Sequence, residues 1–311
     1  MRLAQSPTLS TMAKLMIQQI AGNTYYIPAP VNVGVYVRDQ RAILIDSGND
    51  QEAGRQILKL LQDRAWTLEL IINTHSNADH IGGNAFLQQK TNCRIAATAA
   101  EAMFIQQPEF EPAFLYGGFP TQELRNKFLM ATPSRVTDII ASRGDILDTR
   151  LTALPLPGHF IDMLGVSTPD RVVFLADSLF AAIILQKYHL IFLYDLQRQF
   201  ETFAQLRGLQ ADYYVPSHAA LITGRAALGD LIAVNQQTLT ANLAFVRSLC
   251  QTAISFEELL SRVCANYQIT LNANQAVLIG STLKSYLAYL SDQRQIAPHF
   301  AENRWLWQQL S

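Results

Sequence analysis

Apolar and polar positions follow two rhythms along the first third of the chain. Thr24-Tyr25-Tyr26-Ile27 and Gly34-Val35-Tyr36-Val37 are β-branched or aromatic runs separated by a turn region carrying Pro28, Pro30 and Asn32, and they predict two strands. Ala42-Ile43-Leu44-Ile45 is a continuous apolar run that stops at Asp46-Ser47-Gly48, which suits a strand covered on both faces. Ile57, Leu58, Leu60 and Leu61 then share the spacing of one buried helix face,. Leu68 to Ile72 predicts a further buried strand, ending in Asn73-Thr74-His75. Strand, helix, strand with polar residues at the strand ends is the α/β habit, and sites gather at such ends.

Residues 100–145 break the rhythm: Phe104, Phe110, Phe114, Tyr116, Phe119 and Phe128 crowd around Pro108, Pro112, Gly117, Gly118 and Pro120. The segment reads as a helical insertion with a small core of its own, or as a lid whose aromatics shape a substrate pocket, and the two readings are compatible. Leu151–Leu156, Val172–Leu175 and Tyr213–Val215 read as strands, each leading to a residue with ligand chemistry. From about Gly224 the pattern is helical, over Ala241–Leu249, Phe256–Tyr267 and Asn274–Leu290, before a short strand-like end around Asn303-Arg304-Trp305-Leu306-Trp307. The expected division is a catalytic domain over 12–225 and a helical, winged-helix-like domain over 226–311. From residue 251 onward Arg262, Lys284, Arg294 and Arg304 stand against Glu257, Glu258, Asp292 and Glu302. That balance lacks the basic face of a DNA reader and favours a packing or dimerisation module, with a homodimer as the expected assembly.

Composition narrows the classes. The 311 residues are 49% hydrophobic and 9% aromatic, which excludes a disordered chain. A formal charge of −1 provides no global field for nucleic acid or an anionic membrane. Cys93, Cys250 and Cys264 are far apart and odd in number, so a reducing compartment is expected rather than a disulfide framework. No run approaches the ~20 apolar residues of a membrane span, and Leu15-Met16-Ile17 is too short for a signal peptide,. The expected location is the cytoplasm, with the residues before Met12 as a polar leader and Met12 as an alternative start.

The densest chemistry lies in Thr74-His75-Ser76-Asn77-Ala78-Asp79-His80-Ile81-Gly82-Gly83-Asn84. It follows a buried strand and precedes a helical pattern, Ala85–Lys90. His75, Asp79 and His80 offer two imidazoles and a carboxylate, a mixed nitrogen and oxygen set that suits zinc and related divalent ions. Three later segments repeat the arrangement of strand end and ligand-type residue: Leu156-Pro157-Gly158-His159, Phe174-Leu175-Ala176-Asp177 and Tyr214-Val215-Pro216-Ser217-His218. Ser76 and Ser217 have no partnered base and read as structural. His189, His299, Asp138, Asp145 and Asp148 read as structural or loop residues, with His189 or Tyr194 as candidates for the pocket mouth.

The order Asp46, His75-x-Asn77-x-Asp79-His80, His159, Asp177, His218 resembles the five-motif signature of the metallo-β-lactamase superfamily, over roughly residues 14–225. The resemblance implies a four-layer αβ/βα sandwich with a metal site at one edge, and superfamily members with a comparable helical tail. It implies that His75 and His159 bind a first metal, that Asp79, His80 and His218 bind a second, that Asp177 bridges them and that Asp46 orients the site. The family pattern has histidine where this chain has Asn77, and an amide oxygen is a weaker zinc ligand than imidazole. The expected outcome is a tight second site and a first site that is weak, empty or filled by a harder metal, with zinc as the leading ion and iron or manganese as alternatives.

The function this implies is a metal-dependent hydrolase that activates water against an ester, thioester or amide-like bond of a small molecule, with Asp79 also orienting the water or taking its proton. Two alternatives stand beside it: a non-catalytic metal-binding or regulatory protein on the same fold, and a nuclease or phosphodiesterase.

Overall fold

A computed structural model describes residues 15–310; the leader and the alternative start at Met12 lie outside the described residues. The continuous apolar runs become strands with helices on one side and a second sheet on the other. The first sheet orders β1 (Gln18–Ala21), β2 (Thr24–Ile27), β3 (Val33–Arg38), β4 (Arg41–Ile45), β5 (Thr67–Ile72), β6 (Arg94–Ala97) and β7 (Asp138–Ile139) side by side. β1 to β4 form an antiparallel meander, and β4 to β7 run parallel. The connections carry α1 (Gln51–Gln62), α2 (Ala78–Ile81), α3 (Asn84–Thr91), α4 (Ala99–Gln106) and α5 (Phe110–Tyr116). The second sheet contains β8 (Gly144–Ile146), β9 (Leu151–Pro155), β10 (Leu164–Ser167), β11 (Val172–Phe180), β12 (Tyr213–His218) and β13 (Ile222–Thr223), with only β11 and β12 parallel. α6 (Ala182–Tyr188) and α7 (Leu196–Arg207) join those two.

Side-chain alternation explains the layering. On β4, Ile43 and Ile45 face the second sheet, where they meet Val166, Phe174 and Val215. Ala42 and Leu44 point the other way, onto Ile57 and Leu61 of α1 and Leu87 of α3. On β11, Val172 and Phe174 join the inter-sheet core, whereas Val173 and Leu175 pack with the outer helices. The result is the expected four layers: helices, sheet, sheet, helices.

The helical region consists of α8 (Arg225–Leu249), β14 (Ile254–Ser255), α9 (Phe256–Asn266), α10 (Ala273–Asp292), β15 (Ile296–Ala301) and β16 (Arg304–Gln309), the strands forming a small sheet in the order β14, β16, β15. α8 starts well before Ala241, because Leu228, Ile232 and Leu239 already face the core. One apolar cluster runs unbroken from Leu156 and Leu175 through Ile232 and Val246 to Leu283, Tyr286 and Ile296. All three cysteines are buried free thiols, and no described helix is long and apolar enough to cross a membrane.

Residues 100–145 carry most of α4, all of α5 and the strand β7. α4 and α5 are followed by irregular chain, but Asp138–Ile139 rejoins the first sheet beside β6 and Gly144–Ile146 starts the second. The aromatics divide accordingly. Phe104 and Phe114 stack edge-on against the buried Phe160, while Phe110, Tyr116, Phe119 and Phe128 are exposed.

Candidate metal centre

Five strand ends converge at one edge of the sandwich. Asp46 follows β4 with a left-handed φ of 63°, a conformation that Asp tolerates better than most residues. The turn aims its carboxylate into the loop after β5. Thr74 donates its N–H and its hydroxyl to the two Asp46 oxygens at 2.8 and 2.7 Å. Because the hydroxyl hydrogen is committed there, the Thr74 oxygen accepts from His75 Nδ1 at 3.0 Å. His80 Nδ1 donates to Asp46 Oδ2 at 2.8 Å. A single buried carboxylate thus fixes both imidazoles with their Nε2 lone pairs inward, the geometry a metal ligand needs.

Close backbone packing holds this loop in place. A Cβ on Gly82 would sit 2.3 Å from the Asn49 carbonyl carbon, so the short helix α2 lies flush against the turn that follows Asp46. Gly158 has φ 132°, and a Cβ there would strike Gln199; the adjacent His159 is thereby turned toward the centre. The sequence pattern ends the next strand at Leu175, but β11 runs on to Phe180. Asp177 therefore lies inside a strand, just after a register shift at Ala176, whose φ is 48°. His218 closes β12 and donates from Nδ1 to the Pro30 carbonyl at 3.0 Å.

The predicted residues come together. His75, His80 and Asp177 form one group able to hold an ion, and Asp79, His80 and His218 form another. Asp177 Oδ1 lies 3.2 Å from His80 Nε2, and its Oδ2 lies 3.2 Å from His218 Nε2 and 3.6 Å from His159 Nε2. His218 Nε2 is 3.6 Å from Asp79 Oδ2. His75 Nε2, His80 Nε2 and Asp177 Oδ1, all facing the cluster, are buried without a hydrogen-bond partner, an arrangement costly in a closed core unless a further group satisfies them. Imidazole nitrogens with carboxylate oxygens form the donor set of zinc and similar divalent ions, so the residues present fit such a group.

The electrostatics divide the cluster in two. Burial holds the His75 and His159 imidazoles below their usual range, and His80 adds to this at His75. Burial also opposes charge on His80 and His218, but the carboxylates win: Asp177, Asp79 and Asp46 hold His80 well above the usual range, and Asp177 and Asp79 raise His218. Asp177 is held well below the carboxylate range despite its burial, by His218 and His80. The half around Asp177, His80 and His218 thus attracts positive charge, and the other half offers neutral nitrogens.

Asn77 sits at the mouth of that neutral half. Its Oδ1 is 3.0 Å from His159 Nε2, and its Nδ2 donates to Glu111 at 2.7 Å. Glu101 accepts from the Ser76 N–H and hydroxyl at 3.0 and 2.6 Å and from the Asp162 N–H at 2.9 Å. Burial pushes the Glu101 carboxyl up to about 7 against those bonds, and pushes Glu111 well above its usual range. Neither glutamate stands out in the motif reading. Their signal was a carboxylate set among apolar residues, Ala100-Glu101-Ala102 and Phe110-Glu111-Pro112, at positions buried on α4 and α5.

The remaining histidines and carboxylates are accounted for elsewhere. His189 stacks on Tyr267, His299 lies in β15, and Asp138 pairs with Arg94. Ser76 is tied to Glu101 and Ser217 is buried. Tyr194 donates its N–H to the carbonyls of Gly158 and His159 and, with Phe114 and Ser285, lines an open hollow of about 550 Å³.

Residues 26–218 match the family description "Metallo-beta-lactamase superfamily". Among curated relatives, a hydroxyacylglutathione hydrolase of Nitrobacter hamburgensis is 31% identical over 154 residues, 48% of this chain and 49% of the relative. A second hydroxyacylglutathione hydrolase, of Rhodopseudomonas palustris, is 32% identical over 151 residues, 48% of this chain and 49% of its own length. The chain therefore spans about half the length of the curated relatives it matches. Among solved structures, a beta-lactamase domain protein from Burkholderia ambifaria superposes with a TM-score of 0.71 at 17% identity, covering 94% of this chain and 93% of that one. A metallo-beta-lactamase family protein from Thermus thermophilus gives a TM-score of 0.68 at 15% identity, over 97% and 100% of the two chains. At such identities the likeness is one of fold, and it extends over the helical tail.

Proposed function

The chain belongs to the metallo-β-lactamase superfamily, and on that premise we propose that it is a metal-dependent hydrolase cleaving a thioester or related acyl bond of a small molecule. The observation that carries the proposal is the convergence of His75, His80 and Asp177, with unpartnered buried ligand atoms, beside His159 and the more open Asp79 and His218. The names of the curated relatives favour a thioester among the acyl bonds this chemistry can open.

In this reading Asp79, His80, His218 and Asp177 hold the stronger metal position. His75, His159 and a share of Asp177 hold the weaker one, where Asn77 replaces an imidazole; zinc is the expected ion. A divalent ion held by these residues would supply Lewis-acid activation of water and of the acyl carbonyl at neutral pH. Asp46 keeps His75 and His80 in the tautomer that presents Nε2. Glu101 ties the loop bearing His75 to the loop bearing His159, so the two halves keep their spacing. Asp79, whose side chain is 45% exposed, is the group placed to orient the attacking water and accept its proton. Phe180 and Phe192, both packed on His159, give the acyl side of the pocket an apolar wall.

The tail acts in this reading as a winged-helix-like packing module, and the substrate is a soluble metabolite rather than nucleic acid. The test is hydrolysis of a panel of thioesters, esters and amides by the protein as purified, after chelator treatment and after zinc is returned. Zinc-restored turnover of an acyl substrate is expected; metal uptake without turnover of any of them would overturn the assignment.

A further inference from the structure

Asn77 opens α2 at its N-cap position, yet its side chain makes no capping hydrogen bond. Asn is favoured at that position because its side chain can accept from the first turn, so this side chain is engaged elsewhere. Its Nδ2 donates to Glu111 at 2.7 Å and its Oδ1 faces His159 Nε2 at 3.0 Å. An amide is planar, with nitrogen and oxygen directed apart, so anchoring one end aims the other. Glu111 is 5% exposed, and its one side-chain hydrogen bond among the described residues is to Asn77. A carboxylate is expensive to bury, and here it arrives from α5, outside every strand-end motif.

We infer that Glu111 is a positioning residue that locks Asn77 with its amide oxygen toward the first metal position, making that oxygen the substitute for the missing imidazole. The inference rests on the metal-binding reading above. Without Glu111 the amide can turn over and present its N–H₂ to the ligand cluster, where it repels a cation. With Glu111 in place its acceptor oxygen holds the amide nitrogen at 2.7 Å and so keeps Oδ1 turned toward His159,.

The test is equilibrium titration of the metal-free full chain with Co²⁺ and with Zn²⁺, read by bound metal per chain and by the visible absorption of each cobalt site. Wild type takes up a tight and a weak equivalent. Glu111→Leu weakens the weak equivalent about ten- to a hundred-fold, the usual effect of removing an outer partner of a ligand, and leaves the tight one unchanged. Glu111→Gln, which still offers an oxygen acceptor, recovers part of the loss. In an Asn77→Ala background Glu111→Leu has no added effect, because residues acting through one another are not additive. A weak equivalent unaffected by Glu111→Leu, or a loss fully additive with Asn77→Ala, overturns the inference. If Glu111→Leu does not fold, as judged by circular dichroism, Glu111→Gln alone and in the Asn77→Ala background makes the same comparison. No uptake by wild type overturns both this inference and the metal-binding reading. Two equal equivalents in wild type overturn only the weak first site, and the Glu111 comparison still decides the present point.

Discussion

Asp46→Asn isolates one contribution to the centre. The left-handed backbone at residue 46 suits asparagine as well as aspartate, so the substitution removes charge and one acceptor with little strain. Asp46 receives three hydrogen bonds: two from Thr74 at 2.8 and 2.7 Å and one from His80 at 2.8 Å. An asparagine must turn its N–H₂ toward at least one of these donors. Bonds to a charged group contribute about 1.5–3 kcal/mol each, and loss of a partner behind a ligand lowers metal affinity about 10- to 100-fold, equivalent to about 1.4–2.7 kcal/mol. Two ligands are affected, His80 directly and His75 through the Thr74 hydroxyl, so the upper end of that range is expected. The assay is zinc affinity by chelator competition, with thermal unfolding followed in parallel with and without zinc. The variant should also lose part of the zinc-dependent gain in stability. A folded Asp46→Asn protein with zinc affinity within about two-fold of wild type would refute the argument.

Other outcomes follow from the same geometry. Asp79→Ala and His218→Ala should each lower kcat for the acyl substrate by about 10²-fold or more, as expected when a general base or ligand is removed, with unfolding of the metal-free protein little changed; unaltered turnover would sink the hydrolase reading. Asn77→His should tighten the weaker metal equivalent by about ten-fold or more, read by the same chelator competition. Glu101, raised to about 7 in the folded protein from an ordinary value of 4.5, binds more protons folded than unfolded, so its share of stability is present below pH 4.5 and is lost as pH rises to 7. That share is on the order of 3 kcal/mol; urea unfolding of the metal-free proteins should show this decline in wild type and not in Glu101→Gln. Leu283→Ala should cost about 2–5 kcal/mol, with tryptophan fluorescence and circular dichroism shifting together; separate transitions would contradict the shared core.

Much of the fold could be read in the sequence because both faces of the central strands are buried, so runs such as Ala42–Ile45 and Leu68–Ile72 are continuously apolar. The ligand residues other than Asp177 were legible because they sit at or just beyond strand ends, in short segments of unusual polarity. Three features were less so. The extent of β11 was hidden because Asp177 interrupts the apolar run that the strand continues. The full length of α8 was only partly legible: the chain reads as helical from about Gly224, but Ala241–Leu249 is the only stretch of it with a clear pattern, although Leu228 and Ile232 already face the core. Glu101 and Glu111 gave only a weak signal, a carboxylate among apolar neighbours, because their significance depends on tertiary proximity to residues 76 and 77, which no local period records.

The centre draws residue 75 from one sheet and residues 177 and 218 from the other, and neither group of candidate ligands among the described residues lies within one half. A cation seated there acts as a clasp between the two halves of the sandwich. Its grip would depend on contacts distant in sequence, since residues 75–80 meet Asp177 and His218 only in the assembled sandwich,. Loaded protein should then resist opening along the seam between the sheets, and slow amide exchange at that seam becomes a measure of occupancy as direct as an elemental assay.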